Sequence, residues 1–441
     1  MAKDNASEVV DDDQRRRPAL AAEQVRGAKY LEKVLGLLAA LRDDGCARDR
    51  AGNRTLFFDR YASLVLLSMF SPAMDSLRAV QEASALQKVQ KLLGTDRRFS
   101  LGSLSEAARV FDPALLEQVV AELGKELAPL AECYDPRLAA VRQDLRRTLT
   151  LVDGTLLKAL PRLAGSMWKT SRTGNAMHGW RMHCQFDLSL GVPLDAELTD
   201  YRNSGESDER EVLRQHLQAG RCYVMDRGYF SYGLFDAITL VGSDYVCRVK
   251  KSISYETVAE RELDGAAKAA GVTRDVIVVA GCAQRVERRA NHAVRLVYVE
   301  AQVCPRAARG GSIKPAGPPK AEVLILATNL LDVPAEVIAL IYRYRWTIEL
   351  FFRFFKQVLG CRRLLSDDPD GVRIQCYCAV IACMLLALWT GRKPDKSTAR
   401  MVGWFLSGVA EEADLIAHLN RPSNKGVKLA AKAALWKKLG L

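Results

Sequence analysis

Metal-binding cysteine spacing is the first thing this chain lacks. Its eleven cysteines fall into no repeating CxxC and no cysteine–histidine pattern. The nearest pair, Cys376 and Cys378, lies in an apolar run and reads as core, and free buried cysteines imply a reducing compartment. There are five histidines, and His178, His216 and His292 show no partner spacing. No signal-peptide pattern is seen: the opening MAKDNASEVVDDDQRRR is polar and charged. The longest apolar stretch, Cys376 to Trp389, is too short to span a bilayer and reads as a core helix. No internal repeat is visible. A soluble cytoplasmic protein without membrane partners is the expectation.

What is present begins with size and charge. At 441 residues the chain can hold two or three domains with ample cores. A formal net charge of +12 favours a polyanionic partner, although basicity alone is a weak signal. Residues 1–28, with an acidic run followed by Arg15, Arg16 and Arg17, read as a disordered arm. Residues 29–145 read as all-helical. Leu31, Val34, Leu35, Leu38 and Leu41 recur at helical spacing, as do Phe57, Tyr61, Leu64 and Val65, with Pro72 as a stop. Gly94 ends a helix, Ser103 and Glu106 suggest a capping box, and Asp112–Pro113 suggests an N-cap with a first-turn proline.

The pattern changes at Arg147. Strands are expected at 148–153, 180–188 and, after a Gly191 turn, 192–199. A polar helix from Glu206 to Gln218 leads to the apolar strand 222–226. Further strands follow at 244–249, 274–280, 294–303 and 323–329, with a Gly310, Gly311, Pro315, Pro318, Pro319 loop between the last two. Strands, a helix, then a buried strand indicate a mixed α/β sheet. It occupies 146–395, with a β-rich insertion at about 251–321, and a basic tail fills 396–441.

The segment Tyr342 to Lys356, YRYRWTIELFFRFFK, carries the most chemistry. On one continuous helix starting near Asp332 and Pro334, with Tyr342 at zero, Arg345 falls near 300°, Glu349 near 340°, Lys356 near 320° and Arg353 near 20°, at about 100° per residue. These polar groups form one stripe, while Trp346, Ile348, Leu350, Phe351, Phe352, Phe354 and Phe355 cover most other faces. A helix apolar nearly all round is buried, and buried charge must be paired, metal-bound or turned into a wet cleft. Trp346 is read as core. Arg353 is left between a salt bridge and a phosphate contact.

Asp153 and Asp226 each close a strand in this reading, and the carboxyl ends of strands are where open α/β sheets place ligands. Either aspartate alone is ordinary as a turn residue. Three acids converging with Glu349 would repel unless a divalent cation sat among them, and oxygen ligands suit Mg²⁺ or Mn²⁺. Among the remaining polar groups, His183 and Asp187 lie on one strand face and read as a surface pair. Asp208 and Glu209 read as helix capping, and the last lysines (Lys425, Lys428, Lys432, Lys437, Lys438) as backbone-holding charge on DNA.

The order LVDGT, VMDRGY, then Tyr-x2-Arg-x3-Glu-x6-Lys resembles the insertion-sequence transposases of the Y-R-E-K class, which carry a DDE triad on a ribonuclease H-like fold. The resemblance covers roughly 146–390. It implies Asp153, Asp226 and Glu349 as catalytic acids holding two Mg²⁺ ions, with Mn²⁺ able to substitute. It implies Tyr342, Arg345 and Lys356 as contacts to DNA-end phosphates. It also implies a helical DNA-end-binding segment at 29–145, a β-rich insertion before the glutamate, and double-stranded DNA partners, both element ends and target, handled by a homodimer in the synaptic complex. Two rivals stand beside it: a ribonuclease H-like nuclease without strand transfer, and a DNA-binding derivative that has lost catalysis.

Overall fold

The computed structural model describes residues 29–50, 52–71, 73–127, 145, 147–158, 168–170, 176–200, 204–281, 289–303, 320–358, 364–366, 368–390 and 396–420. The arm expected at 1–28, Pro72, the Gly310–Pro319 loop and the lysines from Lys425 onward lie outside these residues.

Helices come first: α1 (Lys29–Ala40), α2 (Arg42–Cys46), α3 (Phe58–Phe70), α4 (Leu77–Ala83), α5 (Gln87–Leu93), α6 (Leu101–Val110) and α7 (Leu116–Leu127). The local signals mostly act where the sequence put them. Gly94 takes the left-handed conformation that closes α5. Asp112 accepts from the Ala114 amide, and Pro113 opens the 3₁₀ turn that leads into α7. The cap of α6 differs. Ser100, not Ser103, accepts the orphan amide, and that amide belongs to Ser103. The helix therefore starts earlier than the Ser103–Glu106 pair suggested, because Ser100 is the first residue able to cap from extended backbone.

Strands β1 (Thr148–Lys158), β2 (Trp168–Thr170), β3 (Ala176–Asp187) and β4 (Val192–Asp200) follow. Then come α8 (Glu209–Gln215), β5 (Arg221–Met225), α9 (Tyr232–Leu240), β6 (Asp244–Val249), β7 (Tyr255–Glu260), α10 (Gly265–Ala269), β8 (Val272–Ala280), β9 (Val294–Val303) and β10 (Lys320–Thr328). The chain continues through α11 (Ala335–Tyr344), α12 (Trp346–Val358), α13 (Pro369–Thr390), α14 (Lys396–Leu406) and α15 (Glu412–Asn420). The last two helices occupy the first part of the segment read as a basic tail.

The strands form one mixed sheet in the order β2-β3-β1-β5-β6-β10-β9-β8-β7, with β4 paired to β3. β1, β5 and β6 run parallel. β5 is buried on both faces, as expected of a central parallel strand with helices above and below. Leu149, Leu151, Cys184, Val224 and Val246 point into a large core shared with α3, α6, α7 and α11 to α13. Val152, Tyr223, Met225, Tyr245 and Cys247 point the other way, onto α8 and α9. The fold is thus a mixed α/β sandwich of helices around a sheet. The strands β7 to β9, within the span read as an insertion, continue the same sheet through β10.

Helix α13 is long and apolar enough to cross a membrane, yet 94% of its apolar window is buried inside the protein, between α7, α3 and β4. A helix apolar all round is a core element here. The seven cysteines among the described residues are all free. Burial also corrects the reading of His183 and Asp187, which are no surface pair. His183 bonds Thr199 at 2.7 Å and burial pushes its imidazole down to about 4. Asp187 accepts the Ser189 and Leu190 amides at 2.7 and 2.9 Å, tying the β3–β4 turn that Gly191 completes at φ 71°.

Candidate active site

The parallel pairing of β1 with β5 ends at Val152 opposite Met225. The next residue on each strand is an aspartate, so Asp153 and Asp226 stand side by side on strands about 4.8 Å apart. Asp226 leaves its strand as expected and starts a 3₁₀ turn, its carbonyl accepting the Tyr229 amide. Asp153 does not close β1. The strand runs on to Lys158 because β3 keeps pairing with it, Asp153 facing Cys184. What ends at Asp153 is the parallel half of the pairing. Alternation puts both aspartates on the face that holds Leu151 and Val224, beneath α11 and α12.

The signature segment is not one regular helix. It tightens at Arg345, whose amide bonds Tyr342 while its carbonyl accepts Ile348, both three residues away. This 3₁₀ step rotates the following turn, and α12 becomes amphipathic instead of buried all round. Trp346 and Leu350 are 46% and 49% exposed. The Arg353 guanidinium lies over the Trp346 ring at 5.4 Å, so Trp346 is an exposed stacking partner and not core.

The stripe itself reaches the strand ends. Tyr342 donates its hydroxyl to Asp226 Oδ1 at 3.3 Å. The Arg345 guanidinium lies 2.8 Å from Glu349 and 3.7 Å from Asp153, which puts these two carboxylates within one guanidinium's reach. Tyr342 and Arg345 also face each other, ring to cation. Lys356 lies on α12 two turns beyond Glu349, about 10 Å along the axis.

Electrostatics at this cluster are strained. Burial pushes the Asp153 carboxyl up to about 6, with Glu209 and Glu349 adding to the rise and Arg345 and the Gly154 amide opposing it. Burial beside Asp226 pushes the Tyr342 hydroxyl up, so it remains a donor across the neutral range. The donor set is carboxylate oxygen throughout, which fits a hard divalent cation. A buried acid held partly protonated is also short of positive charge. Among the described residues no three acids, histidines or cysteines gather tightly enough to ligate an ion as they stand. Arg345 lies between Asp153 and Glu349 and supplies the positive charge instead.

The raised Asp153 gives a measurable sign. A carboxyl held above its unfolded value contributes stability that is complete below about pH 4 and lost as pH rises through about 6. Asp153→Asn should therefore stabilise the protein in chelator at pH 7.5, by about 2 to 3 kcal/mol for a carboxyl raised to about 6. The advantage should vanish at pH 4, as read by denaturant unfolding. Equal curves for wild type and variant at pH 7.5 would refute it.

Two partners escaped sequence reading. Glu209 is ion-paired with Arg181, and Asp208 alone does the capping of α8. The Glu209 carboxylate lies where a Cβ on Gly154 would meet it at 3.0 Å, and 3.6 Å from a Cβ on Gly228. Gly154 follows Asp153 and Gly228 stands two residues after Asp226, and Glu209 packs behind Gly154 from the opposite face of the sheet. No spacing signals this. Arg248 is the second. It lies next to Asp226 in the β5–β6 register, and the clue available was a charge inside the apolar strand DYVCRV.

Comparison with known proteins identifies the family. The family model for the transposase DDE domain matches residues 144–385, more than half the chain. A Sinorhizobium fredii protein named as a transposase, y4zB, is 28% identical over 285 residues, covering 65% of this chain and 72% of its own. The transposase for insertion sequence element IS421 of Escherichia coli is 23% identical over 341 residues, 71% of this chain and 86% of that one. Among solved structures, the piggyBac transposase synaptic complex with hairpin DNA overlaps 91% of this chain and 81% of its own at 10% identity and a TM-score of 0.39, too remote to build on. The chain belongs to the transposase DDE domain family, and it is a DNA transposase.

Proposed function

We propose that Asp153, Asp226 and Glu349 are the catalytic acids of this transposase, and that the chain cuts the ends of an insertion sequence and joins them to target DNA. The observation that carries this is Arg345, whose guanidinium reaches Asp153 and Glu349 while Tyr342, from the same turn, holds Asp226. One helical segment thereby ties together three acids that are distant in the chain. The parallel β1, β5 and β6, flanked by antiparallel β3, support a ribonuclease H-like reading of the sheet. Exposed Lys88, Lys91, Arg97 and Arg98 support assigning the helices of 29–145 to the element ends.

The acids would hold two divalent ions of the magnesium class, manganese substituting, which supply activation of the attacking oxygen and stabilisation of the leaving one. The chain's own groups set the frame. Tyr342 fixes the Asp226 carboxylate by its hydroxyl. Arg345 offsets the repulsion among the acids, and with Lys356 it faces the phosphates of the end. A homodimer on DNA follows from the need to bring two ends together.

The experiment is direct. Purified protein is incubated with Mg²⁺, a labelled element end and a target plasmid. Joined product supports the transposase; cleavage without joining supports the nuclease; binding without either supports a regulator. Lys356→Ala should weaken end binding and lower the slope of log K against log salt by about one, the loss of a single phosphate contact. An unchanged slope counts against a phosphate role for Lys356.

A further inference from the structure

The face of the sheet that carries the acids does not end at Asp226. Met225 pairs with Cys247, so Arg248 is the neighbour of Asp226 on β6 and lies on the same face, and its charge is felt at the Tyr342 hydroxyl. Beyond it opens a cavity of about 490 Å³ walled by the ends of β6 and β10, with Arg227, Arg248, Lys250 and Lys251 in its lining. Glu322 is the one acid among the lining residues, and it is bonded to Arg248 at 3.1 Å. Arg227, Lys250 and Lys251 are exposed and have no acid partner among the described residues. Like charges lining one concavity focus a positive potential there, which attracts a polyanion.

We propose that this cavity is a DNA-backbone subsite, holding the phosphates next to the one positioned at Asp226. The proposal rests on the catalytic reading above and adds residues outside its signature. Arg227 is chemically continuous with the acids, being the next residue after Asp226. Val249 ends β6, and Lys250 and Lys251 stand in the turn just beyond it, so with Arg227 and Arg248 they surround the cavity as a cluster. Each DNA strand presents a phosphate about every 3.4 Å of helix axis, so such a cluster meets more than one of them. A single small anion would leave most of that charge unmet.

The test uses the full chain and the Lys250→Ala/Lys251→Ala double variant. Both lysines are exposed in the turn after β6, and matching thermal melts verify that the fold is intact. Two labelled duplexes are compared between 50 and 200 mM salt: an element end, and an unrelated duplex offered to protein already holding an unlabelled end. The double variant should bind about tenfold or more weakly at low salt, with a salt slope reduced by about two. A loss on the element end assigns the subsite to the end, and a loss confined to the second duplex assigns it to target DNA. Unchanged slopes on both overturn the subsite even if wild type cuts normally. Conversely, wild type that binds but never cuts overturns the catalytic reading, while the slopes still decide the subsite.

Discussion

Replacing any one of Asp153, Asp226 or Glu349 by alanine is expected to reduce cleavage of an element end on the order of 10³-fold or more, the scale for groups that act directly on transition-state charge. DNA binding should survive in all three and strengthen slightly, because each change removes a negative charge facing phosphate. Stability gives an internal check on the cause. Asp153 is partly buried and burial holds it up to about 6, so its removal relieves mainly the cost of keeping a carboxylate away from water. Glu349 accepts from Arg345 at 2.8 Å, and without it the guanidinium still has Asp153 within 3.7 Å. Asp226→Ala leaves the Tyr342 hydroxyl without the acceptor it now has, so this variant should be the least stable of the three. Folded variants that bind and do not cut place the defect in chemistry. Near-normal cutting by any one of them would remove that residue from the catalytic set.

The sequence exposed its site through spacing and hid it where spacing is silent. Tyr342, Arg345, Glu349 and Lys356 lie within one local segment, so simple helical periodicity gathers them onto one side. The aspartates were legible because each follows an apolar stretch, LTLV and CYVM, and has a glycine one or two residues on. What failed is non-local. Whether β1 ends at Asp153 depends on β3, which pairs with it through Lys158. The tight turn at Arg345 depends on how α11 and α12 pack onto the sheet, and it decides that Trp346 is exposed. Glu209 reaches the rear of the site because Gly154 has no side chain to crowd it. None of these is written in a periodicity. The helical segment shows the same division: Gly94 and Asp112–Pro113 act by local chemistry, while the choice of Ser100 over Ser103 was made by the register of α6.

The largest effect on stability is expected at Arg295, a residue remote from the acids. It is 1% exposed, and it meets Asp275, 3% exposed, through two bonds of 2.8 and 2.6 Å between β9 and β8. Its remaining donors reach the Leu330, Leu331 and Val333 carbonyls, so the same guanidinium clamps the connection from β10 to α11. Arg295→Ala should cost about 3 kcal/mol, the low end for breaking a buried pair, since it leaves the buried Asp275 carboxylate with only the Arg261 guanidinium, 3.7 Å away. Arg295→Met combined with Asp275→Leu separates the two roles. A buried ion pair exchanged for apolar groups of similar volume is often neutral or stabilising, so the double variant should recover most of the lost stability. It should not recover cleavage, because the Leu330 and Val333 carbonyls lose their donor, Leu331 alone keeping Arg261, and α11, which carries Tyr342, starts from that turn. Denaturant unfolding and end cleavage measured on the same preparations decide it. If the double variant regained both, Arg295 would matter to the core alone, and the start of α11 would be held by packing.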